Sequence, residues 1–179
     1  MAKKRSRAKK GSEIGKVFEA EIKASIPLGF FVERYKDTTA KFRGVANPAD
    51  FRLYKYPLTF LWELKSHKGK SIPLTKIRES QLTGMRKAHK QKGIYCGFLL
   101  NFRDLEETYY IPFYDLLAAY YIETDEGEIE RKPNVRKSIP VDWCRENGVQ
   151  IVQHKKRVRY SYDLREWLER YFGQEVYHD

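Results

Sequence analysis

Apolar residues at Ile14, Val17, Phe18, Ile22 and Ile26 recur every three to four positions. The spacing predicts an amphipathic helix from Ser12, a good N-cap, to the Pro27-Leu28-Gly29 break. The period then shortens to two. Phe30–Tyr35 reads as a strand, and Asp50–Tyr54 alternates, with Phe51 and Leu53 on one side and Asp50, Arg52 and Tyr54 on the other. Pro57 marks the turn into a further strand, Leu58–Lys65. Ile94–Phe102 is an unbroken apolar run suited to a buried central strand, and Thr108–Phe113 is another strand candidate.

Helical spacing returns over Thr75–Lys90, where Ile77, Leu82, Met85 and Ala88 form one face with Gln81 near the middle. Tyr114–Ile122 predicts a short helix and Gly127–Asn134 a polar loop. Val149–Gln153 and Val158–Tyr162 predict short strands, and Asp163–Phe172 a closing amphipathic helix through Leu164, Trp167, Leu168 and Tyr171. At 179 residues the chain holds one well-buried core. We expect a single α/β domain over 12–179, preceded by a disordered basic arm, since residues 1–11 contain six Lys or Arg and almost nothing apolar.

Charge sharpens this outline. The net charge is +11, and Lys+Arg exceed Asp+Glu by 23 to 8 in residues 1–92 but fall short by 12 to 16 in residues 93–179. A half-chain carrying about +15 points to a polyanionic partner, most economically nucleic acid. No stretch approaches the roughly 20 apolar residues of a membrane span, and the start lacks a signal-peptide core, so a cytosolic protein without membrane contact is expected. Cys96 and Cys144 read as reduced, partly buried thiols, and the four histidines make no zinc spacing.

Inside the basic half, Asp50 precedes Glu63-Leu64-Lys65 by thirteen residues, on neighbouring predicted strands. Glu63 and Lys65 share a face because the side-chain period is two, while Trp62 and Leu64 point the other way. Two carboxylates, the Leu64 carbonyl and a phosphate suffice for Mg²⁺, which prefers hard oxygen ligands and keeps several waters. Lys65 is then placed to orient a water or stabilise a pentavalent phosphate. Glu-x-Lys itself is common here, recurring at Glu21-Ile22-Lys23 and Glu130-Arg131-Lys132. The middle copy stands out by its place at the end of an apolar strand, with an acidic partner upstream and a helix downstream.

The order of Gly15-Lys16-Val17-Phe18-Glu19 on a helix, Asp50, Glu63-Leu64-Lys65, Ile72-Pro73-Leu74 and Gln81 resembles the PD-(D/E)xK nucleases, and within them the RecU-type Holliday-junction resolvases. The similarity runs on through Gly93-Ile94-Tyr95-Cys96-Gly97-Phe98 and Arg136-Lys137-Ser138-Ile139 and spans most of residues 12–165. It implies a restriction-endonuclease-like α/β core with a mixed central sheet flanked by helices. It also implies a homodimeric, Mg²⁺-dependent endonuclease, with Mn²⁺ as the alternative ion, cutting four-way DNA junctions by symmetric nicks in a bacterial or bacteriophage setting. By motif, Asp50, Glu63 and Lys65 match the catalytic positions, with Asp50, Glu63 and Leu64 on the metal, Glu19 as first-helix acid and Gln81 as helix glutamine. The family's long stalk-like insertion is reduced to Lys36–Ala49, which leaves Lys36, Lys41 and Arg43 to reach phosphates.

Each residue also has a plainer reading. Asp50 pairs with Arg52 or Lys55, Glu63 and Lys65 form an exposed cross-strand pair, and Gln81 is a surface helix residue. Lys68, Lys70, Lys76, Arg78, Arg86, Lys87, Lys90 and Lys92 form either a solvated face or a phosphate-binding rim, and phosphate binding is the reading the charge favours. The functional alternatives are a nuclease of the same superfamily acting on duplex or flap DNA, and a non-catalytic nucleic-acid binder.

Overall fold

The computed structural model describes the backbone of residues 2–35 and 47–172 and the side-chain environments of residues 13–35 and 47–169. Lys36, Lys41 and Arg43, and most of the shortened stalk segment, lie outside the described residues. The helices are α1 (Ala2–Ser25), α2 (Glu79–His89), α3 (Phe113–Tyr120), α4 (Val141–Asn147) and α5 (Leu164–Phe172). The strands are β1 (Phe31–Arg34), β2 (Phe51–Lys55), β3 (Leu58–His67), β4 (Ser71–Pro73), β5 (Ile94–Phe102) and β6 (Glu107–Pro112). They continue as β7 (Tyr121–Glu123), β8 (Ile129–Arg131), β9 (Ser138–Pro140), β10 (Val149–Gln150), β11 (Gln153–Lys155) and β12 (Tyr160–Tyr162).

A six-stranded sheet in the order β1-β2-β3-β5-β6-β10 forms the centre. Its β3–β5 pair is parallel and the other pairs are antiparallel, so the sheet is mixed, as the resemblance implies. Alternation along the strands divides the core in two. Phe51, Leu53, Phe60, Trp62, Leu64 and Leu99 meet Phe18 and Ile22 of α1 and Trp167 and Leu168 of α5. Leu61, Phe98, Leu100 and Ile111 meet Leu82 and Met85 of α2, Phe113 and Leu116 of α3 and Cys144 of α4. Burying each such Leu or Phe side chain contributes about 1.5–3 kcal/mol relative to leaving it exposed.

Several local expectations change. The α1 helix begins at Ala2 rather than capping at Ser12, so residues 2–11, expected as a disordered arm, continue the helix; most of them are Ala, Lys or Arg, good helix formers that outweigh Ser6 and Gly11. The predicted Thr75–Lys90 helix divides into a one-turn 3₁₀ helix, Leu74–Lys76, and α2. The expected polar loop Gly127–Asn134 contains β8, which pairs with β7, and Ile122 belongs to β7 rather than to a helix. Ile72-Pro73 pairs with Ser138-Ile139 as β4–β9. These short pairings bury Ile129, Ile72 and Ile139 against the second core, a gain that hydrophobic periodicity over three residues cannot signal.

Gly97 sits in the middle of β5 under the Tyr110 ring, where a Cβ would lie 2.3 Å from Tyr110 Cε2. Tyr110 cannot yield freely, since it is buried against Trp167 at 4.7 Å and its hydroxyl donates to the Cys96 carbonyl at 3.3 Å. Gly97→Ala is expected to destabilise the fold by about 1–3 kcal/mol through overpacking. The corresponding fall in thermal midpoint is about 2–4 °C per kcal/mol, and an unchanged midpoint in a melting scan rules this out.

Candidate active site

Asp50 lies at the entry to β2, opposite the C-terminal half of β3. Phe51 pairs with Trp62, so continuing the register by one residue sets Asp50 against Glu63. The Asp50 N–H donates to the Trp62 carbonyl at 3.0 Å, and the Leu64 N–H donates to Asp50 Oδ2 at 2.8 Å. The carboxylate is thereby fixed to the backbone of the strand that carries Glu63. Arg52, its expected plain partner, instead pairs with Glu33 at 2.8 Å.

Glu63 is 1% exposed, so it is not the surface ion pair of the plainer reading. Both Lys65 Nζ and Gln81 Nε2 donate to its Oε1, the latter at 2.6 Å. Its Oε2 is buried and has no hydrogen-bond partner among the described residues. Gln81 is itself held, because its Oε1 accepts the Arg78 N–H at 3.0 Å at the start of α2. One carboxylate oxygen is thus locked by two donors while the other is buried without a partner among the described residues.

Burial raises the Glu63 pKa above its ordinary value, against the attraction of Lys65 and the hydrogen bonds from Lys65 and Gln81. The linkage has a definite sign. A carboxyl that holds its proton more tightly when folded stabilises the fold below its ordinary value of 4.5, and this contribution is lost as pH rises through the raised value. Without metal, Glu63→Gln should therefore gain thermal stability over the unaltered protein as pH increases above 4.5. A melting-temperature difference that stays constant with pH contradicts this.

The remaining predicted residues separate by position. Lys76 Nζ donates to the Ser66 carbonyl at 2.8 Å, and burial followed by the nearby charge of Lys65 lowers its pKa. Lys68, Lys70 and Arg78 are exposed, and the Gly69 N–H is tied to Asp104 Oδ2 at 3.1 Å. Arg86, expected on the same basic rim, is instead buried, pairing with Glu123 and donating from Nη2 to the Gly127 carbonyl at 2.6 Å. Glu19 is engaged by Arg34 of β1, and α1 covers the face of β3 opposite to Glu63. Its helical neighbour Glu21 is structural: Arg103 Nη1 and Nη2 donate to it at 2.6 and 2.8 Å, and the Tyr160 N–H at 3.0 Å. The third Glu-x-Lys copy includes β8, which places it on a strand, but Glu130 and Arg131 there are exposed.

Sequence reasoning missed a buried polar ladder behind the site. Ser66 Oγ donates to Asn101 Oδ1 at 2.6 Å, Asn101 Nδ2 to Thr108 Oγ1 at 2.8 Å, and Thr108 Oγ1 to Gln153 Oε1 at 2.7 Å. It fixes the end of β3 just beyond Lys65. Asn101 inside the apolar run Ile94–Phe102 is the sequence signal for it.

No set of three or more His, Cys, Asp or Glu side chains is gathered to hold a metal among the described residues. The donors present fit a hard divalent ion held by few protein ligands: two carboxylates on facing strand positions, one with an orphaned buried oxygen. A soft or nitrogen-seeking metal finds nothing here among the described residues, and both cysteines are buried elsewhere, with burial pushing their pKa values up to about 12.

The fold is a mixed-sheet α/β fold that brings Asp50 opposite Glu63 and Lys65 of β3, backed by Gln81 from the following helix. The chain belongs to the RecU (Recombination protein U) family, whose model matches residues 33–165. It is 36% identical over 160 residues to the SPbeta prophage-derived uncharacterized protein YotM of Bacillus subtilis (strain 168), covering 84% of this chain and 82% of that protein. It is 34% identical over 128 residues to the Holliday junction resolvase RecU of Lactococcus lactis subsp. cremoris (strain SK11), covering 71% of this chain and 55% of that protein. The chain thus spans about half the length of that resolvase. Among solved structures, the Holliday junction resolvase Hjc of Archaeoglobus fulgidus aligns with a TM-score of 0.46 at 13% identity, covering 78% of this chain and 95% of that one. No helix among the described residues is long and apolar enough to cross a membrane.

Proposed function

We propose that the chain is a divalent-metal-dependent DNA endonuclease that resolves four-way junctions as a homodimer, making paired symmetric nicks. The observation that carries the reading is Glu63: a carboxylate buried within β3, with Oε1 fixed by Lys65 and Gln81, Oε2 unpartnered among the described residues, and Asp50 at the facing strand position. A fold does not bury an acid this way cheaply, and catalytic sites are where such costs are tolerated. The junction as substrate is the reading suggested by the relatives named as Holliday junction resolvases.

Asp50, Glu63 and the Leu64 carbonyl would hold the ion, with Mg²⁺ favoured by the all-oxygen set and Mn²⁺ as the alternative. When bound, the ion supplies Lewis-acid neutralisation of charge on the phosphate. Lys65 sets an ammonium next to Glu63, where it opposes the negative charge that grows on the phosphorus oxygens. Gln81 keeps Glu63 in one rotamer, and the Leu64 N–H does the same for Asp50. Glu19, held by Arg34 on the other side of β3, is the outlying member of the set.

Lys68, Lys70, Lys76 and Arg78 form the phosphate-binding rim, joined by Lys36, Lys41 and Arg43 and by the basic arm over residues 1–11. The nuclease domain is residues 12–179, working in the cytoplasm of a bacterium that hosts it directly or through a bacteriophage. Two such sites about a two-fold axis match the symmetry of a four-way junction. The deciding experiment offers end-labelled four-way junction and matched linear duplex at about 0.15 M salt, with Mg²⁺ or EDTA. Paired junction nicks that need metal are expected. Equal cutting of duplex favours the wider superfamily reading, and no metal-dependent product on either substrate overturns the enzyme.

A further inference from the structure

Lys76 differs from the other cations of the rim in what surrounds it. It is half-buried on the short 3₁₀ turn Leu74–Lys76, between the buried side chains of Leu74 and Ile77. Its single described hydrogen bond goes to the neutral Ser66 carbonyl at 2.8 Å. The charged or titratable groups in direct reach of Lys76 are cationic or basic, Lys65 from β3 and His67 beyond it, and the one carboxylate in this neighbourhood, Asp104, acts on His67. No carboxylate forms an ion pair with Lys76 among the described residues.

Holding an ammonium half out of water beside a second ammonium, with one carbonyl acceptor for three protons, costs free energy that the fold does not return locally. The arrangement is nonetheless rigid. Ser66 carries the accepting carbonyl, and its own side chain is locked through Asn101 and Thr108 to Gln153. Lys76 is therefore tied to the strand that carries Glu63 and Lys65, one residue past the lysine. Lys65 is matched by Glu63 and Lys76 by no carboxylate among the described residues, so this pre-set cation pair carries one charge in excess beside the acidic site and fits an anion with adjacent charges, as in successive phosphates of one DNA strand.

We propose that Lys76 grips the phosphate next to the scissile one, so that Lys65 and Lys76 seat two consecutive phosphates of the cut strand. This rests on the nuclease reading above and adds a register to it. The strand is held by a half-buried, site-attached lysine, whereas Lys68, Lys70 and Arg78 supply solvated attraction that any duplex shares.

The test uses the full-length protein with Lys76→Met and Lys76→Arg, and four-way junctions carrying one neutral methylphosphonate at each position around the cut. Binding is read in EDTA and cleavage in Mg²⁺. Lys76→Met is expected to weaken junction binding about tenfold, the effect of one lost charge-assisted hydrogen bond, and to lower the salt slope by about one phosphate. Its thermal midpoint should be unchanged or higher, because a poorly solvated cation has gone. The decisive signature is positional. The unaltered protein loses affinity at one methylphosphonate beside the cut, and Lys76→Met shows no further loss there while staying sensitive at the other positions.

Equal sensitivity of the variant and the unaltered protein at every position overturns the proposal, as does a lowered melting point in Lys76→Met that Lys76→Arg restores without restoring DNA affinity. Because interference is read by binding without metal, it survives or fails separately from cleavage. An unaltered protein that cuts nothing would sink the nuclease reading and leave the phosphate seat to be judged on binding alone.

Discussion

On the proposed function, Asp50→Asn and Glu63→Gln are each expected to reduce strand cleavage by about a thousandfold or more while junction binding in EDTA stays within about twofold, since a metal-held transition state would be worth several kcal/mol. The two carboxylates face one another across β2 and β3 and are fixed by internal donors, so neither is free to serve as a surface phosphate contact. The substitutions keep shape and hydrogen-bonding capacity. After Asp50→Asn the side-chain carbonyl can still accept the Leu64 N–H, and after Glu63→Gln it can still accept from Lys65 and Gln81. Stability is the control: Glu63→Gln should melt at the same or a higher temperature in EDTA, because it removes an acid whose pKa burial has raised. It should also lose any stabilisation that Mg²⁺ gives the unaltered protein. Equal losses of cleavage and binding, or a collapse in melting temperature, would show that these carboxylates hold the fold and nothing more.

Lys65→Met should cut the rate by about a hundredfold to a thousandfold, the usual effect of losing one preorganised electrostatic contact. Unlike Glu63→Gln, it should also cost stability. Lys65 is 15% exposed and donates to a carboxylate 1% exposed, and removing one member of a largely buried pair leaves the other uncompensated. Gln81 still donates to Glu63 Oε1, so the loss should be partial. It should also grow with pH, because Glu63 can shed its penalty by keeping a proton in acid but not in alkali. Metal affinity measured by calorimetry should fall less than the rate. A Lys65→Met variant as stable as the unaltered protein at both ends of the pH range would mean that the ion pair contributes little to the fold.

These opposite stability effects come from neighbours on one strand, and the sequence shows only part of the reason. That Glu63 and Lys65 share a face follows from strand alternation, and Ile94–Phe102 is legible as a central strand because an apolar run of that length has nowhere to go but the interior. The basic half-chain around Asp50 and Glu63 needs only counting. Gln81 was named through the resemblance and reads as a surface residue on helical spacing alone, yet it is buried and hydrogen-bonded to Glu63.

What the chain order could not decide was which of three Glu-x-Lys triplets is buried. Glu21 and Glu63 are equally enclosed, yet Glu21 is saturated by Arg103 and Tyr160 while Glu63 retains an unpartnered oxygen among the described residues. Glu130 lies on a strand too, but an exposed one. The short β4–β9 and β7–β8 pairings were invisible for a related reason, since three residues give no period to read.

Local sequence therefore determined the faces, the main strands and the basic charge of the half-chain that holds the site, because side-chain alternation and charge are properties of neighbouring residues. Only the tertiary structure decided that Asp50 meets Glu63, that Gln81 and Lys65 occupy one of its oxygens, and that Lys76 is half-buried beside Lys65. Those depend on contacts between positions far apart in the chain, where burial and the supply of hydrogen-bond partners are fixed by how the whole sheet closes.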